Sequence, residues 1–329
     1  MHIPFNGVRV TVFAAMMATS IGMVAPTCAS TEFPNQPIRL VVPFAPGGAA
    51  DTLARALATN LGAQTGKTVV VENRAGAGGT IGTASVARSA PDGYTLLLGN
   101  VSTLATAPSL YTKLSYDPLS DFTPLTLVGR SPLVFAAAPA LKANTLRELV
   151  DDKSNHKTLN YGSSGAGSIT HLTGELLNNQ IDNAIVHVPY KGSAPVLVAV
   201  MGGELQLGVT QVSEMLQQLK AGQVKALGIT GNQRLEIIPE VATAAEQGIS
   251  GLDATTWYAV VGPKDMPENV VKTLNDMLGK ALDNPDFKKR YAQEGLLIES
   301  STPQELSTLM KKDIELWGDV VKRANVKLD

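Results

Sequence analysis

The sequence predicts an α/β protein of two lobes joined by a two-stranded hinge. Three observations predict it. Apolar runs alternate with amphipathic stretches from end to end, two long strand-like stretches interrupt that alternation, and the stretch between them is itself a series of strand–helix pairs. Strands separated by helices imply parallel βαβ units. One crossing out of such a block and a second crossing back imply two lobes.

The chain opens with Arg9 as its only early Lys or Arg, an apolar stretch around Val10–Val24, and "APTCAS", whose Thr27 and Ala29 suit a cleavage site. This order is that of a secretory signal peptide over residues 1–29, cleaved on export to the periplasm. A membrane anchor needs about 20 apolar residues, and Thr11, Thr19, Ser20 and Gly22 dilute this run. "APTC" also lacks the apolar residue that precedes a lipidated cysteine. The only cysteine, Cys28, leaves with the leader. The mature chain of about 300 residues is long enough for two domains. It has no thiol for a disulfide, for catalysis or for a metal. Loss of Arg9 takes the formal charge from −2 to −3, so bulk charge attracts neither nucleic acid nor a membrane surface. A soluble monomer is expected.

The elements follow in order. "IRLVVPFA" reads as a buried strand, and Leu53, Leu57 and Leu61 repeat on one face of a helix that Gly66 stops. "TVVVEN" is the next strand, "GTIGTASVARSA" a small-residue helix and "YTLLLGN" a third strand. "FTPLTLVGRSPLVFAAAPA", punctuated by Pro124 and Pro132, leaves one sheet for another. A helix near Leu146–Val150, the strand "LNYG", a helix from Ile169, the strand "IVHVPY", a helix from Ala194 and the strand "VKALGIT" build the second lobe. "TWYAVVGPKDMP" returns, followed by helical "ENVVKTLNDMLGKAL" and a C-terminal helix over Pro303–Arg323. Lobe one is then residues 30–129 and 262–329, lobe two residues 130–261. The hinge is expected near Gly129–Pro132 and Val260–Pro263.

A strand that runs into a helix N-terminus gathers unpaired N–H groups and the positive end of the helix dipole at one point. In "APGGAADTLARAL", Pro46 shapes the turn, Gly47 and Gly48 clear space for a ligand, and Asp51 is placed to cap the helix. Such a site favours a small anion; the bland alternative is a tight turn with glycines for geometry alone. "NYGSSGAGSITHLTGELL" repeats the layout in the second lobe with Ser163, Ser164, Gly165, Gly167 and Ser168. Both loops fall beyond the carboxyl ends of their strands, where open α/β sheets bind ligands. Asn100, Ser102 and Thr103 end one strand, and Tyr190, Lys191 and Gly192 end another. Lys191 either pairs with a carboxylate or is solvated, Tyr190 either lines the cleft or seals the core, and His171 reads as a structural imidazole.

Other motifs fall short. "GAQTGKT" has three residues between Gly62 and Gly66 where a phosphate loop needs four, and it leads into a strand. "RAGAGGTIG" has Ile81 in place of the third glycine of a dinucleotide fingerprint. "GSSGAG" has Ala166 where a nucleophile elbow needs glycine. His156, His171 and His187 show no metal-ligand spacing. Neither a catalytic residue, a metal nor a cofactor is expected.

The chain resembles the Bug family of extracytoplasmic solute receptors, the binding proteins of tripartite tricarboxylate transporters. The matching segments are "FPNQPIRLVVPFAPGGAADTLAR", "VVVENRAGAGGTIGTASVARSAPDGYTLLLGN", "GSSGAGSITHLTGELL", "VHVPYKGSAPVLVAVMGG" and "WYAVVGPKDMP". The resemblance implies a two-lobed, flytrap-like (type II) periplasmic-binding-protein fold that holds a small carboxylated solute without chemistry. It places the ligand contacts at Pro46, Gly47, Gly48, Ala49 and Asp51, at Asn100 to Thr103, at Ser163 to Ser168 and at Tyr190 to Gly192. It also implies permease subunits as partners. Ala50, Leu104, Ala107 and "LGVTQVSE" depart from the family pattern, so the ligand class is more legible than the ligand. Two rivals stand beside this reading: a secreted hydrolase built on Ser164 or Ser168, and a receptor that signals to a sensor instead of feeding uptake.

Overall fold

Two sheets with the same strand order organise the chain. The structure is a computed structural model that describes residues 1–2, 33–153, 159–252 and 254–328. The leader from residue 3, with Arg9 and Cys28, and also His156 lie outside them.

In the first sheet β1 (Ile38–Val42), β2 (Val69–Asn73) and β3 (Thr95–Asn100) run parallel, connected by α1 (Ala49–Thr65) and α2 (Thr80–Ala87). Leu40 pairs with Val71 on one side and Leu96 on the other. The Leu53, Leu57, Leu61 row of α1 is buried, and Gly66 stops the helix in the left-handed region at φ 66°. A π-helical turn, Ser102–Thr106, runs into α3 (Ala107–Leu110), and β4 (Phe122–Ala137) then carries the chain across.

The second sheet is built from α4 (Leu146–Asp151), β5 (Asn160–Ser163), α5 (Ile169–Gln180), β6 (Val186–Pro189), α6 (Ser193–Met201), β7 (Leu207–Gln211), α7 (Val212–Lys220) and β8 (Lys225–Ile229). The return strand is β9 (Thr255–Pro263). After it come α8 (Glu268–Leu282), α9 (Pro285–Ala292), β10 (Leu297–Ile298) and α10 (Pro303–Ala324). Strand order is β2-β1-β3-β9-β4 in the first sheet, with the short β10 also pairing β4, and β6-β5-β7-β4-β8 in the second. Each sheet thus sets a crossing strand antiparallel beside its parallel trio.

Pro124 of β4 is accommodated because the register slips at Pro124/Thr126, a bulge at which a missing N–H does no harm; Pro132 stands at the end of the pairing with β9, opposite Thr255. Leu133–Ala137 then pair with β7, and Val134–Ala137 also with β8. Gly129–Pro132 lie opposite Thr255–Tyr258, whereas Val260 to Pro263 pair with Phe122–Thr126 inside the first sheet. Antiparallel pairing brings the far end of one strand to the near end of the other, so the residues facing Gly129–Pro132 are those at the start of β9.

The crossing strands also divide the core. On one face a single apolar cluster runs through both sheets and includes Leu127, Phe135, Tyr161, Leu172, Trp257 and Trp317. On the other face the sheets have separate clusters, around Leu40, Leu53 and Leu274 in the first and Val134, Val196 and Ile229 in the second. Helix α10 belongs to the shared face. It packs on the π-turn, α3 and β4, and also on α5 of the second lobe, and its Asp313 accepts a 2.7 Å hydrogen bond from the Trp257 indole.

Candidate functional site

The first-lobe loop leaves β1 at Val42 and enters α1 at Ala49, with residues 45–49 exposed. Gly47 has φ +86°, a conformation that disfavours any side chain. Gly48 differs. Its φ of −80° suits any residue, and a Cβ there would meet only the Ala45 carbonyl at 3.8 Å. Neither backbone geometry nor packing requires glycine at 48.

Gly48 is the N-cap of α1, and no side chain among the described residues caps the helix. The first intrahelical bond is Thr52 N–H to Gly48 O, 3.0 Å. Four N–H groups at such an end have no partner within their own helix. Asp51 does not supply the expected cap, because Gly48 takes that position and Asp51 falls in the first turn. Its buried carboxylate reaches back instead, accepting from Gly47 N–H at 2.9 Å and from Arg55 Nε at 3.0 Å. Arg55 also donates to Asn73 Oδ1 (3.0 Å), and Asn73 to Phe44 O (3.1 Å). Arg55 first, and the Gly47 N–H second, hold the Asp51 carboxyl down at about 2. Asp51 is therefore an anchor behind the loop, already paired.

At the end of β3, Asn100 and Thr103 bond reciprocally: Thr103 N–H donates to Asn100 Oδ1 and Asn100 N–H to Thr103 Oγ1, each at 3.2 Å. Thr103 is buried, while Asn100 and Ser102 keep partial exposure. The sequence reading missed their neighbour, the turn over Ala77–Gly79. A Cβ on Gly79 would lie 2.7 Å from Thr103 Cγ2 and 3.2 Å from Phe44 Cε1, so that glycine lets three loops meet. The signal was present in "AGAGG", whose crowded glycines mark a close approach as readily as a nucleotide motif.

The second-lobe loop is built from hydroxyls. Ser168 caps α5, accepting from His171 N–H at 3.2 Å and donating to Gly165 O at 2.6 Å. Thr170, another residue the sequence reading missed, is the hub. Its Oγ1 accepts from Ser164 N–H and shares hydrogen bonds with the Ser164 and Ser168 hydroxyls, all at 2.9 Å. Tyr190 N–H donates to Ser163 O (3.0 Å) and Gly192 N–H to Ser164 O (3.2 Å), which brings the loop after β6 alongside. Tyr190 is half-buried against the apolar cluster of its sheet, and Lys191 is exposed.

Two imidazoles stand behind this loop, stacked at 3.7 Å. Gly167 N–H donates to His171 Nδ1 at 3.0 Å, so His171 is structural, as expected. The buried Ser163 Oγ donates to Gly165 O (3.1 Å) and lies 2.7 Å from His187 Nε2. Burial pushes both imidazoles down to about 4, helped at His187 by the neighbouring His171.

An uncapped, glycine-bounded helix start in one lobe thus stands against a hydroxyl-lined one in the other, on sheets of matching order. The family of tripartite tricarboxylate transporter receptors matches residues 53–326. The chain belongs to that family. This receptor is 35% identical to Protein BugT of Bordetella pertussis over 98% of this chain and 99% of the other. Among solved structures it resembles the periplasmic binding protein BugD, with 36% identity, TM-score 0.72 and coverage of 90% and 100%. It also resembles R. palustris Rpa4515 with adipate, with 31% identity, TM-score 0.76 and coverage of 90% and 100%. A further match is MatC from Rhodopseudomonas palustris with bound malate, with 34% identity, TM-score 0.71 and coverage of 88% and 100%. The receptor thus has the two-lobed solute-binding fold of its family. Its relatives are binding proteins, and no helix among its described residues is long and apolar enough to cross a membrane.

Proposed function

We propose that this receptor captures a small carboxylate between its two lobes in the periplasm and hands it, without turnover, to the permease of a tripartite tricarboxylate transporter. The observation that carries the reading is the N-terminus of α1: an exposed loop whose Gly48 is bare for no reason of folding, in front of a helix that no side chain caps. Backbone N–H groups and a helix dipole at one point bind anions. The adipate and malate of the two relatives agree with that chemistry.

In this reading Pro46 to Ala49, the Ala77–Gly79 turn and Asn100 to Thr103 form the first half-site. Ser163 to Ser168, Thr170 and Tyr190 to Gly192 form the second, and Asp51 holds the first loop from behind. The lobes divide at Arg130 on the outgoing strand and at the start of β9 on the return, and the half-sites close on the solute from either side. Residues 1–29 direct export and are removed.

A thermal-shift screen tests this. A carboxylate at about 100 times its dissociation constant should stabilise the folded receptor by about 2.7 kcal/mol, and its amide or ester should not. A neutral sugar that stabilises when no mono-, di- or tricarboxylate does would overturn the anion site. Turnover of the bound acid would overturn the binding role.

A further inference from the structure

The residues after α10 reach from one lobe to the other. Asn325 ends the helix in the left-handed conformation, φ 51°, and turns the chain back over it. Val326 N–H then bonds to Val321 O at 3.1 Å, and Val326 packs against the shared core. Leu328 N–H donates to Leu110 O at 3.1 Å. Leu110 ends α3, which continues without a break from the π-turn and Asn100 of the first half-site.

The side chain of the same residue lies on the other lobe. A Cβ on Gly167 would be 2.9 Å from Leu328 Cδ1 and 3.2 Å from its Cδ2 and Cγ, so the leucine covers the Cα of Gly167. Gly167 has φ +73° and gives its N–H to His171. It is therefore gripped from behind by an imidazole and from in front by Leu328. One residue holds the first lobe by its backbone and the second-lobe loop by its side chain.

We propose that Leu328 is a positioning residue: it clasps the second-lobe loop to the first lobe and favours the conformation in which the two half-sites face each other. The functional part of this inference rests on the carboxylate reading above. The contact spans less than one leucine side chain, so a conformer that swings the lobes apart loses it. A contact present in one conformer alone shifts the population toward that conformer. Apparent affinity for a ligand of the closed form then scales with the fraction that is closed.

The test compares the wild-type mature receptor with Leu328→Ala, which keeps the N–H to Leu110 and removes the clasp. Leu328→Met serves as the conservative rescue and Leu119→Ala, another exposed leucine, as control. Two readouts need no ligand. Amide exchange at Gly167 to His171 should speed up in Leu328→Ala at unchanged melting temperature. Spin labels on Ser120→Cys and Gln217→Cys, exposed sites on the first and second lobes, should show a distance distribution shifted or broadened by Leu328→Ala and restored by Leu328→Met. Malate and adipate are the probes for binding, and an acid that binds wild type should bind Leu328→Ala about 5-fold more weakly, the low end of couplings between sites. Unchanged exchange and unchanged distances would overturn the clasp. Altered exchange and distances in a protein that binds neither acid would leave the clasp standing and count against the carboxylate reading alone.

Discussion

The loop before α1 and the loop before α5 have the same plan and opposite contents. Each takes the chain from the carboxyl end of a central parallel strand into a helix over glycines. In front of α1 the cap is a glycine, no side chain caps the helix start, and the polar groups that fix the loop, Asp51, Arg55 and Asn73, work from behind. In front of α5 the cap is Ser168, and the Ser164, Ser168 and Thr170 hydroxyls bond to one another. A backbone N–H only donates, whereas a hydroxyl turns to donate or accept. The first loop is thus suited to recognise charge. The second, able to answer a donor or an acceptor, is suited to recognise what else the solute carries.

The largest test of that contrast is Gly48→Val. A Cβ at 48 meets no backbone conflict at φ −80° and no atom closer than the Ala45 carbonyl at 3.8 Å, so the lobe should still fold, with a stability loss of about 1 kcal/mol for a β-branched residue at an N-cap. Binding of the acid found by the screen should fall at least about 100-fold by calorimetry, roughly 2.7 kcal/mol. Unchanged affinity would make the first loop a turn and nothing more.

Acid should separate the loops next. His171 and His187 are held at about 4 by burial, below the usual imidazole range, with Glu175 at 3.8 Å from His171 Nε2 and the Tyr161 ring beside His187 as their neighbours. Between about pH 6.5 and 4 the unfolded chain binds more protons than the folded one, so stability is full above that window and falls as pH drops through it. The loss is on the order of 3 kcal/mol for each imidazole. Protonation of His171 Nδ1 also turns its acceptor for Gly167 N–H into a donor. Asp51, held at about 2, keeps its charge until pH falls from about 4 toward 2. Hydrogen exchange followed down the pH scale should therefore show the second-lobe loop opening first; the first loop opening at higher pH would reverse the assignment.

The smallest effect expected is that of Ser168→Ala. Loss of the cap should lower stability by about 1 kcal/mol and weaken binding by about 0.5–1.5 kcal/mol. Gly48→Val should thus cost far more binding than stability, while Ser168→Ala should take a little from both. Paired urea titrations and calorimetry check this, and equal binding losses in the two variants would erase the distinction.

Local pattern carried most of this far. The runs that became β1, β3 and β9 are apolar enough to be strands buried on both faces, and the Leu53, Leu57, Leu61 row and Gly66 bounded α1 correctly. The strand and helix over Leu207–Lys220 escaped, because Gly208 and Thr210 dilute a five-residue strand and the helix is capped by Gln211 with Glu214, outside the usual capping residues. Thr170 escaped as well, since a threonine inside a helix signals nothing until the chain folds Ser164 and Ser168 around it.

By itself the sequence determined the α/β alternation, the two crossings, the family and the two glycine-bearing loops, because strand and helix periods and glycine positions are properties of neighbours along the chain. Only the tertiary structure decided which residues of β9 face Gly129–Pro132, that Asp51 faces away from service as a cap, that Gly79 joins Phe44 to Thr103, and that Leu328 rests on Gly167. Each of those depends on antiparallel register or on the meeting of residues far apart in sequence, and such contacts are set by the packing of whole elements around a shared core.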